Sequence, residues 1–112
     1  MAKYTDYRKA QKEAERQEAF AKEYSEQYRL ALYNLLQQKD FRFFVSDLLG
    51  FSKTFSGVFD EKGNVASFNA GKQAVGLKIF NDIITVSPNS FIQIQKEEQD
   101  RAKRRENILG DK

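Results

Sequence analysis

The sequence predicts an all-α protein of about four helices: a compact three-helix core at roughly residues 41–95, a long N-terminal helix and a charged C-terminal helical extension. Three observations predict it. Within residues 64–86, apolar side chains recur at spacings of three, four or seven, the period of a helix. Residues 1–39 and 96–112 are rich in Lys, Arg, Glu and Gln, which are good helix formers. The single proline, Pro88, follows a serine, as at many helix starts.

The first helix is predicted to begin at Thr5 or Asp6, either of which can cap it, and to end near Gln38. Its first half carries few large apolar residues. Its second half has an apolar face, formed by Phe20, Tyr24, Tyr28, Leu32 and Leu35. Because such a face is typical of a helix that packs on other elements, we expect the second half to join the core.

The predicted organisation of the chain follows from this difference between the two halves of the first helix, of which only the second has an apolar face. With 112 residues, we expect one domain. We divide it into a projecting charged helical arm at 1–19, a helical core at 20–95 and a charged helical tail at 96–112.

A short second helix is predicted from Phe41 to Leu49, with Asp40 as its cap and Gly50 as the glycine that ends it. Its expected inward face consists of Phe44, Val45, Leu48 and Leu49. The residues from Phe51 to Gly63 are predicted to form a loop, because Ser, Thr, Gly and Asp interrupt any regular period there. The apolar residues of this loop that we expect to contact the core are Phe51, Phe55, Val58 and Phe59.

The central helix is predicted from Asn64 to Val86 and is apolar almost all round in its last three turns, so other elements are expected to cover it. Gly71 and Gly76 lie inside it, where each glycine costs roughly 1 kcal/mol relative to alanine. Close approach of the backbone of a crossing helix would compensate that cost. We therefore predict that this helix packs through Phe68, Gly71, Val75, Gly76 and Ile79.

The last helix is predicted to begin with Ser87 as cap and Pro88 at its first position. Its apolar anchors are Phe91, Ile92 and Ile94. From Gln95 onward the sequence is polar on every face, which indicates a solvated helix. Residues 108–110 are an apolar remnant that we expect to fray unless a partner holds them.

Charge and composition restrict the possible functions. The net charge is +3, and basic and acidic residues are interleaved along the whole chain, so we expect weak or no contact with nucleic acid. No stretch approaches the roughly 20 apolar residues of a membrane span, and we expect no membrane association. The chain has no Cys, which excludes thiolate chemistry, and no His, the commonest general base. The absence of Cys also suits a protein assembled in the cytoplasm.

Candidate catalytic groups are few. Asp47 and Asp82 lie on mainly apolar helices, but nothing pairs them in the sequence, and solvated or capping roles are favoured. Gly71, Lys72 and Gly76 resemble a phosphate-binding spacing, yet they lie within a helix whose N–H groups are already bonded. We therefore expect no enzyme activity, no catalytic residues, no metal and no cofactor.

Protein binding is the better prediction for the remaining surface residues. Tyrosines at helical spacing are more typical of protein interfaces than of base stacking. The basic run near the C-terminus either contacts phosphate or an acidic protein surface, or is a solvated helix end whose positive charges interact favourably with the helix dipole. The candidate partner-binding residues are Phe20, Tyr24, Tyr28, Leu32, Lys103, Arg104 and Arg105.

Two stretches of the sequence resemble a known family. They run from Phe43 to Phe55 (FFVSDLLGFSKTF) and from Phe68 to Ile79 (FNAGKQAVGLKI). Together they resemble a family of small tailed-phage (podovirus) proteins first named from a Bordetella phage structural protein. The shared pattern is an aromatic-rich helix ending in Leu-Leu-x-x-Gly, a Ser/Thr-Phe step, and a helix with Phe-x-x-Gly-basic and Gly-Leu. Family members often carry a second basic residue where this chain has Gln73.

The resemblance implies a non-enzymatic structural component of a bacteriophage virion, assembled in the host cytoplasm. It would lie at the portal or head–tail vertex or inside the capsid as an internal virion protein, possibly released with the genome. Its partners would be portal, adaptor or internal core proteins, and a homo-oligomer would form a ring. Two alternatives stay open: a phage-encoded DNA-associated or regulatory protein, and an assembly (scaffold) factor absent from mature particles.

Overall fold

A computed structural model describes residues 4–55 and 63–110 of the chain. These residues form four α-helices: α1 (Tyr4–Leu36), α2 (Lys39–Phe51), α3 (Gly63–Val86) and α4 (Pro88–Leu109). No strand occurs in the described ranges. The all-α class, the four helices and the long N-terminal helix predicted from the sequence are confirmed.

The ends of α2 differ from those predicted. Gln38 occupies the N-cap position, and Asp40 lies in the first turn instead of capping it. Gly50 does not end the helix, which continues to Phe51. No described glycine has a positive φ, and the left-handed residue that follows the helix is Lys53, with φ 52°. The chain therefore leaves α2 through Lys53, and the prediction that Gly50 ends the helix is wrong.

The start of α4 is close to the prediction. Ser87 is the N-cap and Pro88 opens the helix. The Ser87 side chain, however, pairs with the Ser90 hydroxyl at 2.7 Å instead of bonding a free backbone N–H. At its other end α4 remains regular to Leu109, and the Gly110 N–H donates to the Glu106 carbonyl at 2.8 Å.

The chain divides into two compact units, Met1–Ala31 and Leu32–Lys112. In the first unit, the described residues 4–31 belong to α1 and all of them are exposed. The boundary thus falls between Ala31 and Leu32, not between residues 19 and 20. An apolar stripe on a helix is buried only where another element covers it, and burial on α1 begins at Leu32.

The core of the second unit lies where α2, α3 and α4 meet, and each of these helices contacts the other two. Its buried residues are Leu36, Val45, Leu49, Ile83 and Ile94. Partly buried side chains packed against them are Leu32, Phe41, Ile79, Phe80 and Phe91. The core is therefore built by α2, α3 and α4 together with Leu32 and Leu36 from the end of α1.

A cluster of aromatic rings packs against this core. The rings of Phe80 and Phe91 meet edge to face with centroids 4.9 Å apart, and Phe55 packs on Phe80 at 5.0 Å. Phe55 nevertheless remains 65% exposed, and Phe51 is 66% exposed, so the predicted loop aromatics are only partly held by the core. The other two, Val58 and Phe59, lie outside the described residues.

Candidate protein interaction surfaces

The two stretches that carry the family resemblance meet in space at Gly76. A Cβ atom built on Gly76 would overlap the Thr54 hydroxyl and lie 2.9 Å from the Ser52 Cβ. Ser52 and Thr54 are both buried, in the turn that follows α2. Close approach of a neighbouring segment therefore explains Gly76, although the neighbour is this turn and not another helix.

Gln73 reinforces the same contact. Its side-chain amide donates to the carbonyls of Lys53 and Thr54, at 3.2 and 3.4 Å. The Thr54 hydroxyl in turn donates to the Leu49 carbonyl at 2.9 Å. The bonds from Gln73 satisfy carbonyl groups of the turn that follows α2, and the Leu49 carbonyl also accepts the Thr54 backbone N–H at 3.3 Å. Gln73 thus acts here as a side-chain donor that joins α3 to the end of α2.

The other residues predicted to pack α3 divide into two groups. Ile79 packs against the core. Among the described residues, no atom lies within 4 Å of a Cβ built on Gly71. Phe68 is 65% exposed and Val75 is 57% exposed. The prediction of helix packing is therefore wrong for Phe68, Gly71 and Val75, because the face of α3 that carries them is not the face that α2 and α4 cover.

Large aromatic side chains are exposed on α2, in the turn that follows it, and on α3. Their exposed fractions range from 52% to 66%, and they are Phe43, Phe44, Phe51, Phe55 and Phe68. We refer to these five residues as the exposed phenylalanines. Most isolated apolar residues on a surface need no explanation, but five large rings in one small unit are typical of a protein contact.

Basic side chains lie over three of these rings. The Lys72 ammonium is 4.7 Å from the centre of the Phe51 ring and 5.1 Å from that of Phe68, so it bridges the end of α2 and the start of α3. On α4, the Arg101 guanidinium lies 4.4 Å from the centre of the Phe43 ring. Such cation–π contacts contribute about 0.5–1 kcal/mol each at exposed positions. They hold the rings in place while leaving more than half of each exposed.

Between α2 and α4, a polar contact lies beside the exposed phenylalanines. Glu98 accepts hydrogen bonds of 2.8 Å from both Arg101 and Ser46. The hydrogen bond from Arg101, followed by that from Ser46, holds the pKa of Glu98 below its ordinary value, although burial acts in the opposite direction. Glu98 is therefore ionised at neutral pH and fixes Arg101 over Phe43.

A buried ion pair joins α2 to α4 deeper in the unit. Arg42 binds Glu97 through two hydrogen bonds of 2.9 Å, with side-chain exposures of 13% and 8%. Arg42 also donates to the Leu36 carbonyl at 2.9 Å, and Gln93 donates to Glu97 at 3.3 Å. The Arg42 hydrogen bond is the main cause of a lowered Glu97 pKa, opposed by burial.

No known protein family, curated protein sequence or solved structure matches this chain.

The predicted partner-binding residues of the N-terminal helix fall in both units. Phe20, Tyr24 and Tyr28 belong to the first and are 68%, 63% and 40% exposed. The rings of Phe20 and Tyr24 lie 6.4 Å apart. Leu32 belongs to the second unit, where it is partly buried and packs against the core.

Lys103, Arg104 and Arg105 are exposed on the last turns of α4. Their exposure fits both interpretations left open by the sequence, a contact with an acidic surface and a solvated helix end. Asp47 is exposed on α2, whereas Asp82 on α3 forms an ion pair of 2.7 Å with Lys78, one helical turn away. The structure thus places Asp82 in a surface ion pair of its own helix.

Two findings concern other kinds of site. Within the described part of the chain, no three His, Cys, Asp or Glu side chains are grouped so as to hold a metal ion. Each of the helices in residues 4–55 and 63–110 falls short of the length and apolar character needed to cross a membrane.

Three residues that organise the α2–α4 contact were not predicted from the sequence, namely Arg42, Glu97 and Glu98. A signal for Glu97 was present. The inner face of α4 continues beyond Ile94. The residues on this face are buried or partly buried and recur at spacings of four, three and four: Ser90, Ile94, Glu97 and Arg101. The polarity of Glu97 concealed this periodicity, because charged residues are seldom buried without a partner.

Proposed function

We propose that this chain is a non-enzymatic structural component of a tailed-phage virion. It would lie at the portal or head–tail vertex or inside the capsid and would bind a portal, adaptor or internal core protein. The proposal rests on the family resemblance of residues 43–55 and 68–79. The structural observation that supports it is that the five exposed phenylalanines, each 52–66% exposed, all lie in those two stretches.

The arrangement of these residues supports a binding role more than a purely structural one. Within the two stretches, the small and polar residues Ser52, Thr54 and Gly76 form the internal contact, whereas the large rings remain outside. Burying a large aromatic side chain contributes about 1.5–3 kcal/mol. A fold that buries serine and threonine while exposing phenylalanine has that energy available for a partner.

The charge pattern supports a protein partner over nucleic acid. The net charge is only +3, and two of the basic side chains near the rings, Lys72 and Arg101, lie over aromatic faces. A surface that binds phosphate through several cations would show a steep loss of affinity with salt. We expect no such dependence for this chain.

Mass spectrometry of purified virions, compared with infected cells, tests the location directly. We expect the protein in purified particles at a fixed ratio to the portal protein. Its presence in infected cells but absence from mature particles would contradict the structural role and favour the scaffold alternative. A steep salt dependence of binding to duplex DNA would instead favour the DNA-associated alternative.

A matched pair of variants on α2 tests whether the exposed phenylalanines make the contact. Phe44→Ser removes a ring that is 64% exposed and should prevent incorporation into particles without unfolding the chain. Asp47→Ser alters another exposed position of the same helix and should leave incorporation unchanged. Equal incorporation of both variants, measured by quantitative mass spectrometry, would exclude Phe44 from the interface.

A further inference from the structure

A seam of tyrosine and alanine residues, with one glutamine among them, runs along the first unit. From Tyr7 to Ala31, these residues recur every three and four positions, as in the a and d positions of a heptad repeat. The seam residues are Tyr7, Ala10, Ala14, Gln17, Ala21, Tyr24, Tyr28 and Ala31. They form a single stripe along about 36 Å of helix.

This seam is exposed in the described chain. Tyr7 is 68% exposed, Tyr24 is 63% exposed and Tyr28 is 40% exposed. The alanines between them are exposed as well. The small alanine side chains leave gaps beside the large tyrosine rings. A partner helix would have to fill these gaps.

We propose that the seam binds the same seam of a second copy of this chain, with the two helices antiparallel. In an antiparallel pair, a positions face d positions. One register then places a small residue opposite every large one. Its four distinct layers pair Tyr7 with Ala31, Ala10 with Tyr28, Ala14 with Tyr24 and Gln17 with Ala21.

The complementarity of these layers is what identifies the second copy as the occupant. Facing positions that combine one large and one small side chain keep the distance between two helices constant and leave no void. The register is symmetric about Ala19, so every layer occurs twice. A two-fold axis there makes the contact self-complementary, as an isologous dimer requires.

A parallel pair of the same helices fits poorly. In it, Tyr24 would face Tyr24 and Ala14 would face Ala14, so the separation required by one layer would leave a gap in the other. The parallel arrangement therefore lacks shape complementarity.

The charge of the first unit permits self-association. Between residues 4 and 31 the sequence contains six basic and six acidic residues, so two copies carry no net repulsion. An isologous contact closes on two copies. It therefore predicts an even number of chains per assembly. The inference holds whether or not the proposed virion function is correct.

Sedimentation equilibrium of the full chain tests the proposal. We expect a reversible dimer. Ala14→Arg places a charge in the middle of the seam and should weaken association at least about tenfold, a loss typical of disrupting the centre of an interface. Ala19→Arg makes the same chemical change on the opposite face of the same helix and should leave association unchanged. Arginine is nearly as good a helix former as alanine, so both variants should keep their helical circular dichroism.

Chemical cross-linking tests the orientation, since the chain has no cysteine of its own. In the antiparallel register, a mixture of Tyr7→Cys and Ala31→Cys chains should link through a short thiol-reactive reagent. Neither variant should link alone, because identical positions lie about 36 Å apart. Linking of each variant alone would overturn the antiparallel register. A wild-type chain that stays monomeric at its highest soluble concentration, or a dimer insensitive to Ala14→Arg, would overturn the proposal.

Discussion

The ion pair between Arg42 and Glu97 should be the most sensitive polar contact of the second unit. Replacing Glu97 with glutamine keeps the shape of the side chain but leaves the Arg42 charge buried without its counter-charge. Removing one partner of a buried pair costs about 3–5 kcal/mol. We expect about 3 kcal/mol, the low end of that range, because Arg42 keeps its hydrogen bond to the Leu36 carbonyl and 13% of its side-chain surface.

Urea unfolding followed by circular dichroism measures this loss as a change in the midpoint at constant slope. For a unit of this size, 3 kcal/mol corresponds to a fall in melting temperature of about 12–24 °C. The matched control is Lys78→Gln, which alters an exposed ion pair within one helix and should cost less than about 0.5 kcal/mol. A Glu97→Gln loss as small as that of the control would refute the reasoning.

The double variant Arg42→Met, Glu97→Leu separates the charge from the packing. If the single variant is destabilised because a charge is left alone, removing both charges should restore stability to within about 1–2 kcal/mol of wild type. A double variant less stable than Glu97→Gln would show that the loss of stability comes from the two missing hydrogen bonds and not from the unpaired charge.

The pH dependence of the same contact has a defined sign. The pKa of Glu97 in the folded chain lies below its ordinary value of 4.5. Its contribution to stability is therefore fully present above that pH and is lost as the pH falls through the folded-state pKa. The difference in unfolding free energy between wild type and Glu97→Gln should be constant near neutral pH and shrink in acid. A difference that grows in acid would contradict the sign of the shift.

Three further predictions concern backbone and core positions. Gly76→Ala should destabilise the chain by about 1–3 kcal/mol because its Cβ would overlap Thr54. Gly71→Ala should instead stabilise it by up to about 1 kcal/mol. Equal effects of the two variants in urea unfolding would show that the turn at Thr54 moves to accommodate the added methyl group. Ile83→Ala, at a fully buried position, should cost about 2–5 kcal/mol, and Ile92→Ala, at a 62% exposed position, less than about 0.5 kcal/mol. Lys53→Gly should preserve or raise stability, since glycine adopts the positive φ without strain; a clear loss would show that the lysine side chain is needed.

Much of the candidate site could be located from the sequence, but not its internal arrangement. The stretches 43–55 and 68–79 were identified together, and they do meet in the structure. The predicted inward face of α2 was right for Val45 and Leu49, which are buried, but wrong for Phe44. Phe44 and Val45 are adjacent and both apolar, yet Val45 is 3% exposed and Phe44 is 64% exposed. With apolar residues on both sides of a short helix, periodicity alone does not identify the buried face.

The sequence by itself determined where the helices lie. Periodicity, good helix formers and Pro88 act over a few residues, so four helices and their approximate limits follow from local order. The tertiary structure alone decided what each face meets. Gly71 and Gly76 look alike in sequence, but only Gly76 has a turn against it. Glu97 looks solvated until Arg42, 55 residues earlier, is placed beside it. The physical reason is that burial depends on residues distant in the chain, whereas helix formation depends mainly on neighbours.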